Sequence, residues 1–295
     1  MIHSTIVGEV RKTQRGSNFL VELIKSIAVY LVLLFVIPIS GVPFLSMLLN
    51  MGYEQIGDIA FFWADGIGIV LLILLCRFLE KRSLDSMGFV PKHVFRNYIT
   101  GLAIGFTIIS AVVVIGLTLG AFQFIGISDS INPIFLLLYL SGFMIQGMYE
   151  EVLCRGFMMV SIARKSPVVV AILANSIFFG LIHMGNNGFS VLPMVNLILF
   201  GLFASVLFLS VDNIWIVGAV HTIWNFSMGC IYGLSVSGMD PMPSILMIKA
   251  TEFDMLNGGA FGPEGGLIVT GVLLVGIAIV SWGVGKRETA EIMVV

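Results

Sequence analysis

Three short patterns in this 295-residue sequence combine side chains able to move protons with side chains able to stabilise negative charge. Glu150, Glu151 and Arg155 stand in QGMYEEVLCRGF, His183 closes the apolar run NSIFFGLIHMGN, and His221 and Asn225 stand in GAVHTIWNF. All lie within strongly apolar surroundings. An ionisable side chain in a membrane-crossing helix costs about 2.5 kcal/mol or more on insertion scales, so such groups face a bundle interior or a water-filled cavity and mark function. A carboxylate, two imidazoles and an amide on three separate apolar runs suit hydrolysis of an amide. The carboxylate takes a proton from water, and fixed donors stabilise the oxyanion that forms. No Ser or Cys occupies an obvious nucleophile setting, so water is the expected nucleophile.

Helical spacing sorts these residues, because positions four apart share a face. Glu151 and Arg155 are four apart and are expected to form an internal ion pair, leaving Glu150 without a partner of its own on that helix. Gln146 lies four before Glu150 and Cys154 four after it, so that face carries an amide, a carboxylate and a thiol and should meet a polar cavity. Asn175, Phe179 and His183 share a second face; His221 and Asn225 share a third. A lone intramembrane His or Asn usually serves as an interhelical hydrogen-bonding group, and Phe179 and Cys154 read individually as packing residues. Asp65, in another apolar run, has no neighbours that suggest a role. At about 1.5 Å per residue, Glu150 and His183 fall roughly 21 and 24 Å from their helix ends, so the two can meet.

These motifs resemble those of the CPBP intramembrane proteases, also called the CAAX-protease and bacteriocin-processing or Abi family, which includes the prenyl-protein endopeptidase Rce. The family patterns E-E-x-x-x-R, F-x-x-x-H and H-x-x-x-N stand here as Glu150, Glu151 and Arg155; Phe179 and His183; and His221 and Asn225. The resemblance covers approximately 135 to 235, and outside it the chain is matched only in being membrane spans. It implies an all-helical intramembrane endopeptidase of the glutamate type. By position, Glu150 activates water with His183 helping to hold it, His221 and Asn225 stabilise the oxyanion, and Glu151 and Arg155 support the site. Family relatives have also been described as metalloproteases, and Glu150, His183 and His221 could supply three zinc ligands. No HExxH or equivalent local pair fixes a metal, so no metal and no cofactor is expected. The implied substrate is a membrane-associated protein or peptide, of the CAAX type or of the leader or pheromone type. The alternative is a non-catalytic membrane protein, either an immunity or partner-binding factor or a small transporter using the same polar cavity.

Composition defines the elements that must carry these residues. Apolar residues make up 58% of the chain, charged residues 11%, and the mean hydropathy is +1.06. A soluble globule averages about 25% charged residues, so the reading is an all-α, polytopic helix bundle in the lipid bilayer with no room for a large soluble domain. A net charge of −2 gives no basic character that would suggest nucleic acid. Cys76, Cys154 and Cys230 lack metal or redox spacing and are expected to be free, buried thiols.

Eight spans are expected, near 26 to 49, 56 to 77, 98 to 122, 133 to 163, 167 to 185, 190 to 210, 214 to 235 and 267 to 285. They divide the chain into 1–132, with a cytoplasmic tail and three spans; 133–235, the motif-bearing core; and 236–295, an outer loop and the last span. Lys and Arg concentrate in segments that this count places in the cytoplasm, which puts both termini there. The expected setting is a prokaryotic cell membrane. The fourth segment is long enough that it must tilt or break. Residues 83–98 read as an interfacial piece or a solvated loop, and the Gly-rich stretch 257–266 reads as a flexible outer loop.

Overall fold

The computed structural model describes residues 4–12, 16–43, 47, 53–129 and 131–292, with the side chains of 53–56 and 284–292 left aside. Residues 44–46 and 48–52, at the end of the first expected span and just beyond it, and the last three residues lie outside the described residues. The chain begins with α1 (Thr5–Lys12) and α2 (Phe19–Val36), the latter started by Asn18, whose side chain accepts a hydrogen bond from Val21 N. Next come α3 (Tyr53–Leu74) and α4 (Val94–Thr118), then a short strand, β1 (Phe122–Ile127). The helices of the motif-bearing core are α5 (Pro133–Glu151), α6 (Val168–Leu181), α7 (Val191–Val211) and α8 (Ile214–Phe226). A second strand, β2 (Leu246–Ala250), precedes the final helix, α9 (Leu267–Ile292).

Local sequence sets the helix starts around the site. Asn132 followed by Pro133 opens α5: the Asn side chain accepts from Ile134 N at 3.0 Å, and Pro occupies a position whose N–H would have no helical partner. Asn213 caps α8 in the same way through Trp215 N at 2.9 Å. After Glu151 the α-helix gives way to π-helical turns over Val152–Met159, with α-helix again over Val160–Ala163. The long fourth segment therefore breaks its winding immediately after the paired glutamates, where a π-bulge commonly marks a functional position.

Among the described residues, five helices are long and apolar enough to cross a membrane: Phe19–Gly41, Gly57–Leu79, Val94–Thr118, Val191–Val211 and Ile214–Ile231. Two shorter apolar helices, Val168–Leu181 and Leu267–Gly283, accompany them. The chain is thus a helical integral membrane protein. Within the bundle α8 packs against α4 and α5, α3 against α5, α6 against α7, and α7 against α9. Gly147 lets α5 approach α8 closely, since a Cβ there would lie 2.8 Å from the backbone nitrogen of Thr222. Small residues at helix crossings permit such approach where no hydrophobic driving force separates helix from lipid.

The structure departs from the sequence expectation in four places. Strands β1 and β2, expected as loops, pair antiparallel from Phe122 opposite Ala250 to Ile127 opposite Leu246, with a bulge between Phe124 and Gly126. The bundle is therefore helical with one two-stranded ribbon, because two loops on one face satisfy their backbone groups on each other. Second, α6 ends at Leu181 and His183 lies in the following turn, where its N–H bonds Gly180 O. Third, the start of 83–98 is packed into the protein: Met87 is fully buried and Gly88 O accepts from Ile214 N.

The fourth departure is the Gly-rich stretch, which is a fastened structure rather than a slack loop. Phe261, Pro263, Glu264 and Gly265 are buried, and Asn196 Nδ2 donates to both Glu264 O at 2.7 Å and Gly266 O at 2.9 Å. Gly258 has φ +87°, and a Cβ on it would sit 1.8 Å from Gly262 O. Glycine is there for a backbone fold that other residues cannot adopt.

On the face opposite the ribbon a charged cluster ties together the segments expected in the cytoplasm. Buried Arg82 donates to Glu80 and Ser161 at 3.0 Å and to Gly156 O at 2.6 Å, while Lys25 bonds both Glu22 and Glu80. Arg11 reaches Ala163 O and Ser166 O, and Asp212 accepts from Thr5 N. Burial pushes the Glu80 carboxyl up, but Arg82 and Lys25 beside it outweigh burial and hold it below the ordinary carboxylate range.

Candidate active site

A cavity of about 380 Å³ opens among α2, α3, α5, α8 and the turn after α6. Glu150, His183, His221 and Asn225 all line it, together with Gln146, Asp65, Tyr149 and Glu264. The rest of its wall is largely apolar and includes Leu33, Ile37, Phe61, Phe62 and Phe143. Three of the four site residues come from α5 and α8, which cross beside Gly147; the fourth, His183, comes from the turn that ends α6.

Glu150 is held at one oxygen and open at the other. Gln146 Nε2 donates to Glu150 Oε1, and Asn225 Nδ2 donates to Gln146 Oε1 at 3.0 Å. Gln146 thus links the carboxylate to the amide across two helices, so Glu150 does have a partner on its own helix. Glu150 Oε2 is buried without a hydrogen bond and lies 3.7 Å from His221 Nε2. That gap is too long for a direct hydrogen bond.

Glu151 faces away from the cavity and acts on His221 from behind. Its Oε1 takes Arg155 Nη1 at 2.9 Å and His221 Nδ1 at 2.8 Å, and both charged side chains are fully buried. Arg155 also donates to Gly201 O at 3.1 Å and stands over the Phe179 ring, 4.9 Å from its centre. Phe179 and Phe200 present their rings to His221 with centroids at 5.9 and 5.0 Å. The imidazole is therefore fixed in plane by a carboxylate and on its faces by aromatic packing.

His183 Nδ1 bonds Phe179 O at 2.8 Å. A carbonyl only accepts, so Nδ1 carries the hydrogen and Nε2 of the neutral ring offers a lone pair. Asn175, expected on the same face as His183, instead turns to α7 and donates to Ser205 Oγ at 2.7 Å. Cys154 is fully buried and Leu153 lines the cavity in its place; Cys76 and Cys230 are likewise free and buried.

Sequence reasoning passed over the roof. Glu264, from the Gly-rich stretch, accepts from Trp224 Nε1 at 3.0 Å through Oε1, and from Ser237 N at 2.8 Å and the Ser237 hydroxyl through Oε2. Trp224 packs on Phe200, which packs on His221. A lone acid among glycines, in PEGG, was the only signal in the sequence that this stretch does more than connect.

Residues 131–227 match the family model described as type II CAAX prenyl endopeptidase Rce1-like. This segment is an Rce1-like domain. It holds Glu150, Glu151, Arg155, His183, His221 and Asn225, whereas α2, α3 and the Glu264 roof lie outside it. Comparison with curated proteins and with solved structures found no match. Among the described residues, no three His, Cys, Asp or Glu side chains converge so as to hold a metal ion. Within the Rce1-like domain both histidines commit Nδ1 to protein oxygens, His183 to Phe179 O and His221 to Glu151.

Proposed function

We propose that this chain is a glutamate-type intramembrane endopeptidase that hydrolyses a peptide bond in a membrane-associated protein or peptide. The observation that carries the reading is the buried, unpartnered Glu150 Oε2 facing His221 Nε2 in the cavity that the Rce1-like segment shares with α2 and α3. Glu150 takes a proton from water as the hydroxyl adds to the scissile carbonyl. His183 Nε2 accepts the second hydrogen of that water and orients it. The developing oxyanion takes the second N–H of Asn225, whose first is held by Gln146, and the Nε2–H of His221 as an imidazolium. Glu151 stabilises that imidazolium through His221 Nδ1, and Arg155 pairs with the same Glu151 oxygen. Glu150 then passes its proton to the leaving nitrogen, giving a carboxylic acid and an amine. No step requires a metal or other cofactor.

The accompanying topology is eight spans in a prokaryotic cell membrane with both termini cytoplasmic. It is supported by the way the Lys- and Arg-bearing segments meet in the Glu80–Arg82 cluster, whereas β1, β2 and the Glu264 stretch gather at the other end.

The test is turnover of a cleavable peptide by purified protein in nanodiscs. Glu150→Gln is expected to remove nearly all hydrolysis while binding persists, since the amide keeps shape but accepts no proton. Activity that a strong chelator abolishes and zinc restores would overturn this role for Glu150. Retained partner binding with no hydrolysis by the wild type would point to the non-catalytic alternative.

A further inference from the structure

His183 is placed by a turn rather than by a helix, and part of what holds that turn comes from beyond the Rce1-like domain. Helix α6 ends at Leu181, and inside the turn Asn186 N bonds back to His183 O at 3.0 Å. A largely exposed turn with only local backbone bonds opens readily unless something fastens it. Three contacts do so. Asn186 Nδ2 donates to Ser237 O at 2.8 Å, Phe189 sets its ring edge-on to Phe261 with centroids 6.3 Å apart, and a Cβ on Gly188 would lie 2.6 Å from Phe261 N. Ser237 and Phe261 both follow the matched segment 131–227 in the chain.

Ser237 is itself held in a conformation that it does not favour. Its φ is +48°, in the left-handed region that favours glycine, and such a backbone persists where its surroundings over-determine it. Glu264 supplies that constraint: Oε2 accepts from Ser237 N at 2.8 Å and from the Ser237 hydroxyl, while Oε1 accepts from Trp224 Nε1 at 3.0 Å. Three donors converge on one side chain. A carboxylate only accepts and can serve all three, whereas an amide would turn an N–H toward a donor. The same acid therefore reaches both histidines of the site. It meets His183 through Ser237 and Asn186, and His221 through Trp224 and Phe200, with ring centroids 5.3 Å apart from Trp224 to Phe200 and 5.0 Å from Phe200 to His221.

We propose that Glu264 is a positioning residue for the hydrolysis: it fixes Ser237, Ser237 fixes the turn through Asn186, and the turn holds His183 in the cavity wall that it shares with Glu150. This rests on the peptidase reading given above. Glu264 takes no proton and touches no reacting atom, since both its oxygens are occupied by protein donors. Its part is to keep the water-orienting imidazole in register with the base.

The experiment uses the full-length protein in nanodiscs and reads kcat and KM on a cleavable peptide together with backbone hydrogen exchange in residues 182–190. Glu264→Gln is expected to lower kcat about ten- to a hundredfold, the scale of a small misplacement of a catalytic group. KM should change little, and exchange in 182–190 should speed up. Asn186→Ala cuts the same chain of bonds at a half-buried position, so it should act in the same direction and keeps the test open if Glu264→Gln does not fold. The double variant should lose no more kcat than the larger single loss, because both substitutions act along one chain of contacts. Glu80→Gln, at the opposite end of the bundle, controls for plain destabilisation: its melting temperature should fall while kcat and exchange in 182–190 stay as in the wild type. An unchanged kcat in the folded variants, a loss confined to KM, or losses that multiply in the double variant would overturn the proposal and leave the peptidase reading in place. Faster exchange in 182–190 on Glu264→Gln, with no hydrolysis by the wild type, would keep the hold on the turn and overturn the peptidase reading.

Discussion

His221 sits between two adjacent glutamates that the chain treats differently. Glu151 holds its Nδ1 and is neutralised by Arg155, while Glu150 faces its Nε2 with one free oxygen. Because Glu151, Arg155 and His221 share one buried oxygen, removing either charged partner strands the other without solvent. Breaking a buried pair in this way typically costs about 3 to 5 kcal/mol. Glu151→Ala and Arg155→Ala are therefore expected to lower both detergent-solubilised yield and melting temperature, in addition to activity. Wild-type stability in both single variants would mean that the pair contributes nothing to the fold. The distinction between the two glutamates was legible in the sequence, since only Glu151 has an arginine four residues on. Gln146 was legible only as a residue on the right face; its bridge to Asn225 depends on how close α8 comes.

At the scale of elements, the site exists because α5 and α8 cross in near contact and then both change winding, α5 at Val152 and α8 at Ser227. Gly147 sits at that crossing, with Thr222 N in the place where a Cβ would go. One added methyl must push the helices apart or shift Thr222, next to His221. Overpacking of this kind costs roughly 1 to 3 kcal/mol, so Gly147→Ala should lower the melting temperature and reduce turnover together. Full turnover with an unchanged melting temperature would show that the crossing has slack. Helix starts at Asn132–Pro133 and Asn213 follow from local capping chemistry. The end of α6 before His183 does not, because nothing in IFFGLIHMG forbids another turn.

For the whole molecule, the two ends of the bundle carry different fastenings. At the charged end, Glu80 has its folded-state pKa held below the ordinary 4.5 by Arg82 and Lys25 despite burial. A depressed folded pKa means stability that is present above the unfolded value and lost as pH falls through the folded one. The melting-temperature gap between wild type and Glu80→Gln should accordingly be full at pH 7 and shrink on acidification below about pH 4.5. A gap that widened on acidification would reverse the sign and remove Glu80 from this role. At the other end, Met255 is well exposed in the segment between β2 and α9. On a background lacking Cys76, Cys154 and Cys230, Met255→Cys is expected to react with a membrane-impermeant reagent from outside and Lys92→Cys only from the cytoplasm. The opposite pattern would overturn the eight-span topology.

Composition and period determined by themselves that the chain is a helical membrane protein, because uninterrupted apolar runs of about 18 residues or more satisfy their backbone in lipid as helices, whereas barrel strands alternate apolar and polar residues. Spacing likewise determined which acid pairs with Arg155, since a pair four residues apart on one helix needs no knowledge of its neighbours. What only the tertiary structure decided is everything that depends on distance between helices. That includes the meeting of Glu150 with His221, the bridge through Gln146, the joining of β1 to β2, the Glu264 roof over Trp224, and the placement of Asp65 in the same cavity. Residues far apart in the chain become neighbours through helix packing, and packing is set by the shapes of several surfaces at once rather than by any local pattern.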